Sequence, residues 1–262
     1  MIINPYVFGA AFDPDAQAFF TASGLTGATN LNAVNQLVLD LKAASIWTKM
    51  KAIYPMVGGT ATTHKWNLKD PRDLDAAYRL AFLGGWVHSS TGALPNGVNT
   101  IANTFIIPSA ALTLNSQHIS YYSRTNVNLT QVEIGCNVAG APPITLLEIR
   151  TLSTTYTSIA SGTYTAYTDP DSLGFYTGSR TASNVIKLFK NNSNVATGAT
   201  ASTSNPTTNI IIGALNQGTA GINFRTTKEC AFASIGDGLT DAEALNYYAI
   251  VQAFQTALAR QV

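Results

Sequence analysis

The strongest constraint on this chain lies between Ala52 and Ile235. Over that length no apolar pattern of 3.6-residue period lasts long enough to form a crossover helix. Short runs rich in Val, Ile, Tyr, Phe and Thr recur instead, separated by Gly, Asn, Ser and Pro. A parallel sheet needs a helix-sized connection between neighbouring strands, so strands spaced this way must pair antiparallel, in a sandwich or barrel. The candidate strands are KAIYPMVGG, an alternation around Trp66 over 62–68, AYRLAFLGG, and the runs at 104–107, 118–124, 132–138, 144–152, 174–180, 185–190, 209–215 and 229–235. NNSN at 191–194 reads as a hairpin turn, because Asn tolerates the left-handed backbone that tight turns demand.

Helices are expected only at the ends. Asp13 followed by Pro14 is a helix start and Gly24 a stop, which gives a helix over 14–23. A second helix follows Asn30, with Leu31, Val34, Leu37, Val38 and Leu41 on one face. Near the other end Thr240 and Glu243 form a capping box, and Tyr247, Val251, Phe254 and Leu258 line one side of the helix that follows. The expected organisation is an attachment segment over 1–12, a helical hairpin over 13–50, and a β-sandwich with its closing helix over 51–262.

Composition narrows the partners. Charged residues are 11% of the chain and the net charge is +1, with no Lys/Arg cluster to neutralise phosphates, so nucleic acid is not an expected partner. At 46% hydrophobic the chain should be compact. No apolar run approaches the roughly 18 residues of a membrane span. The opening MIINPYVFGAAF has no basic region and is interrupted by Pro5 and Gly9, so export through a secretory signal is not expected. Cys136 and Cys230 read as two buried thiols, with a disulfide between strands as the alternative.

The segments GFYTGSRTASNVIKLFKNNSNVAT, NIIIGAL and KECAFASIGDGLTDAEALNYY resemble, in order and character, the concanavalin A-like, laminin-G and pentraxin jelly rolls. More widely, INPYVFG, KAIYPMVGGTATTHKWNLKDPRDLDAAYRL, GGWVHSSTGALPNG and FASIGDGLTDAEALNYYAIVQAFQTALARQ resemble a group of bacteriophage virion proteins with a laminin-G-like domain. That resemblance implies a mainly β, antiparallel concanavalin A-like jelly-roll sandwich. It also implies a non-enzymatic structural role, in capsid or tail decoration or in contact with a host-surface glycan, on a virion made in the bacterial host cytoplasm. A homo-oligomer is expected, joined to other virion proteins through the N-terminal aromatics Tyr6, Phe8 and Phe12. A lectin-like carbohydrate-binding module independent of the virion is the alternative, and a glycoside hydrolase the less favoured one.

Site residues follow from chemistry. Aromatic rings stack on sugar faces, so Tyr164, Tyr167 and Tyr176 around the 162–178 connection, with Trp86 beside a Gly/Ser/Thr-rich loop, are the glycan candidates. Trp47 and Trp66 sit in strongly apolar sequence and are expected in the core. Asp169 and Asp171 in YTDPDS and Asp237 in IGDG are candidate oxygen donors for Ca2+, although all three also suit turns. No catalytic residue is assigned: none of Glu133, Glu148, Glu229 and Glu243 has an Asp two residues later, the pattern that jelly-roll glucanases use. His64, His88 and His118 are widely spaced and expected at the surface or packed under loops. LKDPRDLDAAYR reads as a solvated turn with local ion pairs, or as an intersubunit contact.

Overall fold

The computed structural model describes residues 11–262, so Tyr6 and Phe8 lie outside the described residues. Two helices come first, α1 (Pro14–Ser23) and α2 (Ala28–Ala43), followed by strand β1 (Met50–Tyr54) and the single-turn helix α3 (Ala61–His64). Short strands β2 (Ala81–Leu83), β3 (Val87–Ser89), β4 (Gly92–Leu94) and β5 (Ile101–Asn103) lead to a second single turn, α4 (Pro108–Ala111). The longer strands are β6 (Gln117–Ser123), β7 (Ile134–Val138), β8 (Ala141–Thr151), β9 (Thr154–Ser161), β10 (Thr165–Thr168), β11 (Gly174–Ala182), β12 (Val185–Lys190) and β13 (Ser193–Gly198). Last come β14 (Ile211–Ile212), β15 (Leu215–Asn216), β16 (Ile222–Asn223), β17 (Cys230–Gly236) and the helix α5 (Asp241–Ala257).

The strands form two sheets. The first runs β13-β12-β11-β6-β17-β4-β3 with β1 also on β17, and the second runs β10-β9-β8-β7-β14-β5-β2 with β15 and β16 attached at β7. Pairing between named strands is antiparallel except for the short contact of Asn216 with Cys136. The protein is thus a mainly β, jelly-roll-type sandwich with helices at both ends of the sequence.

Side-chain alternation divides the interior into two cores. Tyr121, Tyr176, Leu188, Ala233 and Ile235 of the first sheet meet Ile134, Cys136, Leu147, Ile149 and Ile212 of the second. On the other face of the first sheet, Tyr122, Phe175, Phe189 and Phe232 meet helix residues including Phe19, Leu37, Leu41, Tyr247, Val251 and Phe254. The first sheet is therefore buried on both sides, while among the described residues α1, α2 and α5 all lie on the first sheet's side and leave the outer face of the second uncovered by them.

The helix ends form for the reasons their residues suggest. Asp13 accepts from the Asp15 amide, Gly24 closes α1 with φ 65°, and Thr240 and Glu243 cap α5 reciprocally. Three expectations need correction. Residues 62–68 are not a strand: Thr60 caps α3 through a capping box with Thr63, and the Trp66 indole N–H then donates to the Thr62 carbonyl at 2.8 Å. The strand expected at 104–107 lies earlier, as β5, because Phe105 turns left-handed (φ 58°) and Pro108 opens α4. Phe12, expected to reach a neighbouring protein, packs edge-on against Phe20 of its own chain with ring centres 5.1 Å apart. Cys136 and Cys230 are buried free thiols. Among the described residues no helix is long and apolar enough to cross a membrane.

Candidate functional site

A concavity lies on the outer face of the second sheet, built on the β8–β9 hairpin. β8 and β9 are joined at Leu152 and Ser153, both left-handed (φ 49° and 63°), which makes the tight turn that matches strand twist. Arg150 is also left-handed (φ 54°), and the register shifts between Glu148 and Thr151. The Arg150 amide displaced by this irregularity donates to the Thr155 hydroxyl at 2.9 Å. This register places Glu148 opposite Tyr156, and Tyr156 opposite Ala166 of β10.

Leu147 and Ile149 point into the core between the sheets, so Glu148 points outward. Tyr164, 44% exposed, comes in from the β9–β10 connection. Its ring centre is 5.8 Å from that of Tyr156, and the planes cross at 71°. Glu148, Thr151, Tyr156 and Tyr164 line a cleft of about 350 Å³.

The electrostatics of the cleft are one-sided. Burial lifts the Glu148 carboxyl above the usual range; the Thr151 hydroxyl opposes the shift, Glu133 adds to it and Lys228 opposes it. Burial and the Glu148 charge likewise raise the Tyr164 hydroxyl. Glu133, just ahead of β7, is fully buried and paired with the equally buried Lys228 at 3.0 Å. It also accepts from the Ile149 amide and from the Thr226 hydroxyl. Burial pushes Glu133 upward, and Lys228 with these hydrogen bonds holds it back. Although the two carboxyls are neighbours, Glu133 is sealed from solvent.

The residues singled out from sequence are scattered. Tyr164 is in the cleft. Tyr167 is half-buried against the inter-sheet core. Tyr176 is fully buried, and its hydroxyl donates to Asp169 at 2.9 Å, so it cannot stack on a sugar. Trp86 is half-buried, held by its indole N–H on the Ile101 carbonyl at 3.0 Å and seated against Gly213, where a Cβ would come within 2.8 Å of the ring. It belongs to a separate aromatic group with Phe82 and His88.

The Ca2+ expectation is also corrected. Asp169 is fully buried and spent on Thr155, Tyr176 and the Lys190 ammonium, the last at 2.6 Å. Asp171 meets the same ammonium at 3.1 Å. Burial works against the Asp171 charge, but the Leu173 amide and Lys190 outweigh it and hold the carboxyl below its usual range. A lysine thus occupies the position between these carboxylates that a cation would take. Asp237 lies at the far end of β17, with its backbone bonded to Lys49 and His118. Among the described residues no three His, Cys, Asp or Glu groups converge as metal ligands.

Two histidines expected at the surface or under loops are interior. His118 is fully buried beneath Tyr247, and burial lowers its pKa to about 4. His64 is 1% exposed; burial, with His88 and Arg260 adding, lowers its pKa to about 3. The Gly59 amide donates to His64 Nε2 at 3.2 Å, which puts the His64 proton on Nδ1, facing His88 Nδ1 at 3.0 Å.

Sequence reasoning missed Glu148, Thr151 and Tyr156. A signal existed in the lone acidic residue within the apolar run ITLLEI, which marks one face of that strand as not wholly buried. Its partner across the hairpin was hidden, because Leu-Ser is not a turn pair that sequence rules anticipate.

No model of a known protein family matches the chain, and no curated protein matches it in sequence. Solved structures resemble it in part. The binding domain of botulinum neurotoxin serotype D aligns at 12% identity and a TM-score of 0.49 over 78% of this chain, which spans only 52% of that domain's length. The CBM40 of the Ruminococcus gnavus IT-sialidase, bound to α2,3-sialyllactose, aligns at 14% identity and a TM-score of 0.43, covering 63% of this chain and 94% of that one. Domain 4 of AbnA, a GH43 extracellular arabinanase of Geobacillus stearothermophilus in complex with arabinotriose, gives 12% identity and a TM-score of 0.41, with coverage of 76% and 98%.

Proposed function

We propose that this protein is a glycan-binding module, lectin-like in action, that takes a sugar in the cleft of Glu148, Thr151, Tyr156 and Tyr164. The observation that carries the reading is the pair of tyrosine rings set at 71° beside an outward carboxylate. A ring wall offers an apolar surface to the C–H face of a sugar, while the carboxylate accepts from its hydroxyls. The reading is non-catalytic: Glu133, the carboxyl beside Glu148, is neutralised by Lys228 and closed to solvent, so the two do not form an acid and nucleophile around a bound sugar. An immobilised-glycan screen of the full chain tests this. Binding to at least one glycan, weakened roughly tenfold by Tyr164→Ala, is expected from the loss of one stacking ring; an empty screen would sink the reading.

We further propose that the module is carried on a bacteriophage particle assembled in the host cytoplasm, as a homo-oligomer held by its N-terminal segment. The sequence resemblance of INPYVFG, GGWVHSSTGALPNG and the closing helix supports this location. Mass spectrometry of purified particles should find the chain, and deletion of residues 1–12 should leave a folded protein that no longer joins them. Absence from the particle would remove the virion role and leave the cleft untouched.

A further inference from the structure

We infer, on the reading of the cleft as a sugar site, that it selects uncharged sugar rings and turns away acidic ones, with Glu148 making the choice. Every group that lines the cleft other than Glu148 is neutral: Thr151, Tyr156 and Tyr164. The cation nearest Glu148 in chemical effect, Lys228, is fully buried and spent on Glu133 at 3.0 Å. The guanidinium of Arg150, two residues along β8, is turned to the Asn126 side chain at 2.8 Å. A ligand carboxylate or sulfate entering the cleft would therefore meet no positive partner, and it would be set against a carboxylate already half removed from water.

An uncharged ring meets the opposite situation. Glu148 has acceptor capacity on both oxygens, and no ammonium or guanidinium lines the cleft to take it up, so a pair of adjacent hydroxyls can donate to it. Tyr164 and Tyr156 cover the ring's C–H face, and their hydroxyls serve its edge. Glu133, just ahead of β7, and Lys228, in the loop before β17, act on Glu148 through their charges; being paired, they leave the sign of the cleft to Glu148 alone.

Calorimetric titration of the full chain with matched pairs tests this: galactose against galacturonic acid, glucose against glucuronic acid, and lactose against 3′-sialyllactose. At least one neutral member should bind, with its acidic partner roughly tenfold weaker or worse, because like charges set together at a binding site are costly. Glu148→Gln should bring the two members to within about threefold of each other, since the amide keeps the shape and removes the charge. Ala166→Lys, which adds a cation opposite Tyr156 at an exposed position, should improve the acidic member selectively. Equal or tighter binding of the acidic members by the unaltered chain overturns the inference and leaves the sugar site standing, as does a preference that Glu148→Gln does not change. No binding by any of the six sugars overturns the inference, while the sugar site itself stands or falls with the glycan screen.

Discussion

The outer faces of the two sheets differ in how their side chains are covered. On the first sheet, Tyr122, Phe175, Phe189 and Phe232 point outward and are roofed by α5 and α2. Phe175 meets Tyr247 edge-on at 5.3 Å, and Phe232 meets Phe254 at 6.1 Å. On the second sheet only a small patch of Val132, Ile144, Leu146 and Leu215 is closed over; the same face continues to Glu148, Tyr156 and Tyr164 in the open. The roofed face spends its aromatic area on stability, whereas on the open face Tyr164 stays 44% exposed.

Substitutions can break this contrast. Phe232→Ala removes a fully buried ring from beneath the helices and should cost about 3–5 kcal/mol in urea unfolding. Lys228→Met, on the open-face side, strands Glu133 without its buried partner and should cost about 3 kcal/mol. Converting Glu133 as well, to Gln, should return most of that loss. If the single and double variants were equally unstable, the ion pair would not be what supports this part of the sheet.

Acid should act through two buried histidines, His118 beneath the roof and His64 against His88. The folded values of about 4 for His118 and about 3 for His64 lie below the ordinary imidazole value, so the unfolded chain binds more protons. The stability these residues carry is complete above about pH 6.5 and drains as pH falls through and below that value toward the folded ones. Each should forfeit about 2 kcal/mol between pH 6.5 and 4.5. Urea unfolding across that window measures the loss, and a His118→Gln variant should show a flatter profile; an unchanged slope would contradict the account.

Smaller effects sharpen the comparison. Thr240→Ala removes one half of the α5 capping box and should cost about 1 kcal/mol. Tyr164→Ala, at the exposed ring, should change stability by less than about 0.5 kcal/mol while binding weakens roughly tenfold. A large loss of stability there would mean the ring belongs to the fold and not to the ligand.

Local chemistry made the helices and the longer strands legible. Asp13-Pro14 with Gly24, and Thr240 with Glu243, each carry their own start or stop, and β6, β11 and β12 fall close to their apolar runs. Parity was illegible in the first sheet. Phe175 and Tyr176 both suit a core, and because that strand is buried on both faces, a period of two does not say which ring faces which core. Tyr176, chosen for its place beside the 162–178 connection, faces the inter-sheet core. The strands β9 and β10 were hidden by their Thr and Ser content, and the cleft by a turn at Leu152 and Ser153 whose backbone is of a kind usually given to Asn and Gly. His64 and His88 meet only because α3 and β3 meet in space.

The lysine between Asp169 and Asp171 has a consequence for the loop that ends at β11. Many loops of this kind owe their shape to an ion that must be captured from solution, and they soften when it leaves. Here the positive charge is tethered to β12 by its own backbone, so it cannot be diluted away, competed off or stripped by a chelator. The loop carries its counter-ion as part of its covalent inheritance and should keep one shape in calcium-rich and calcium-poor surroundings alike.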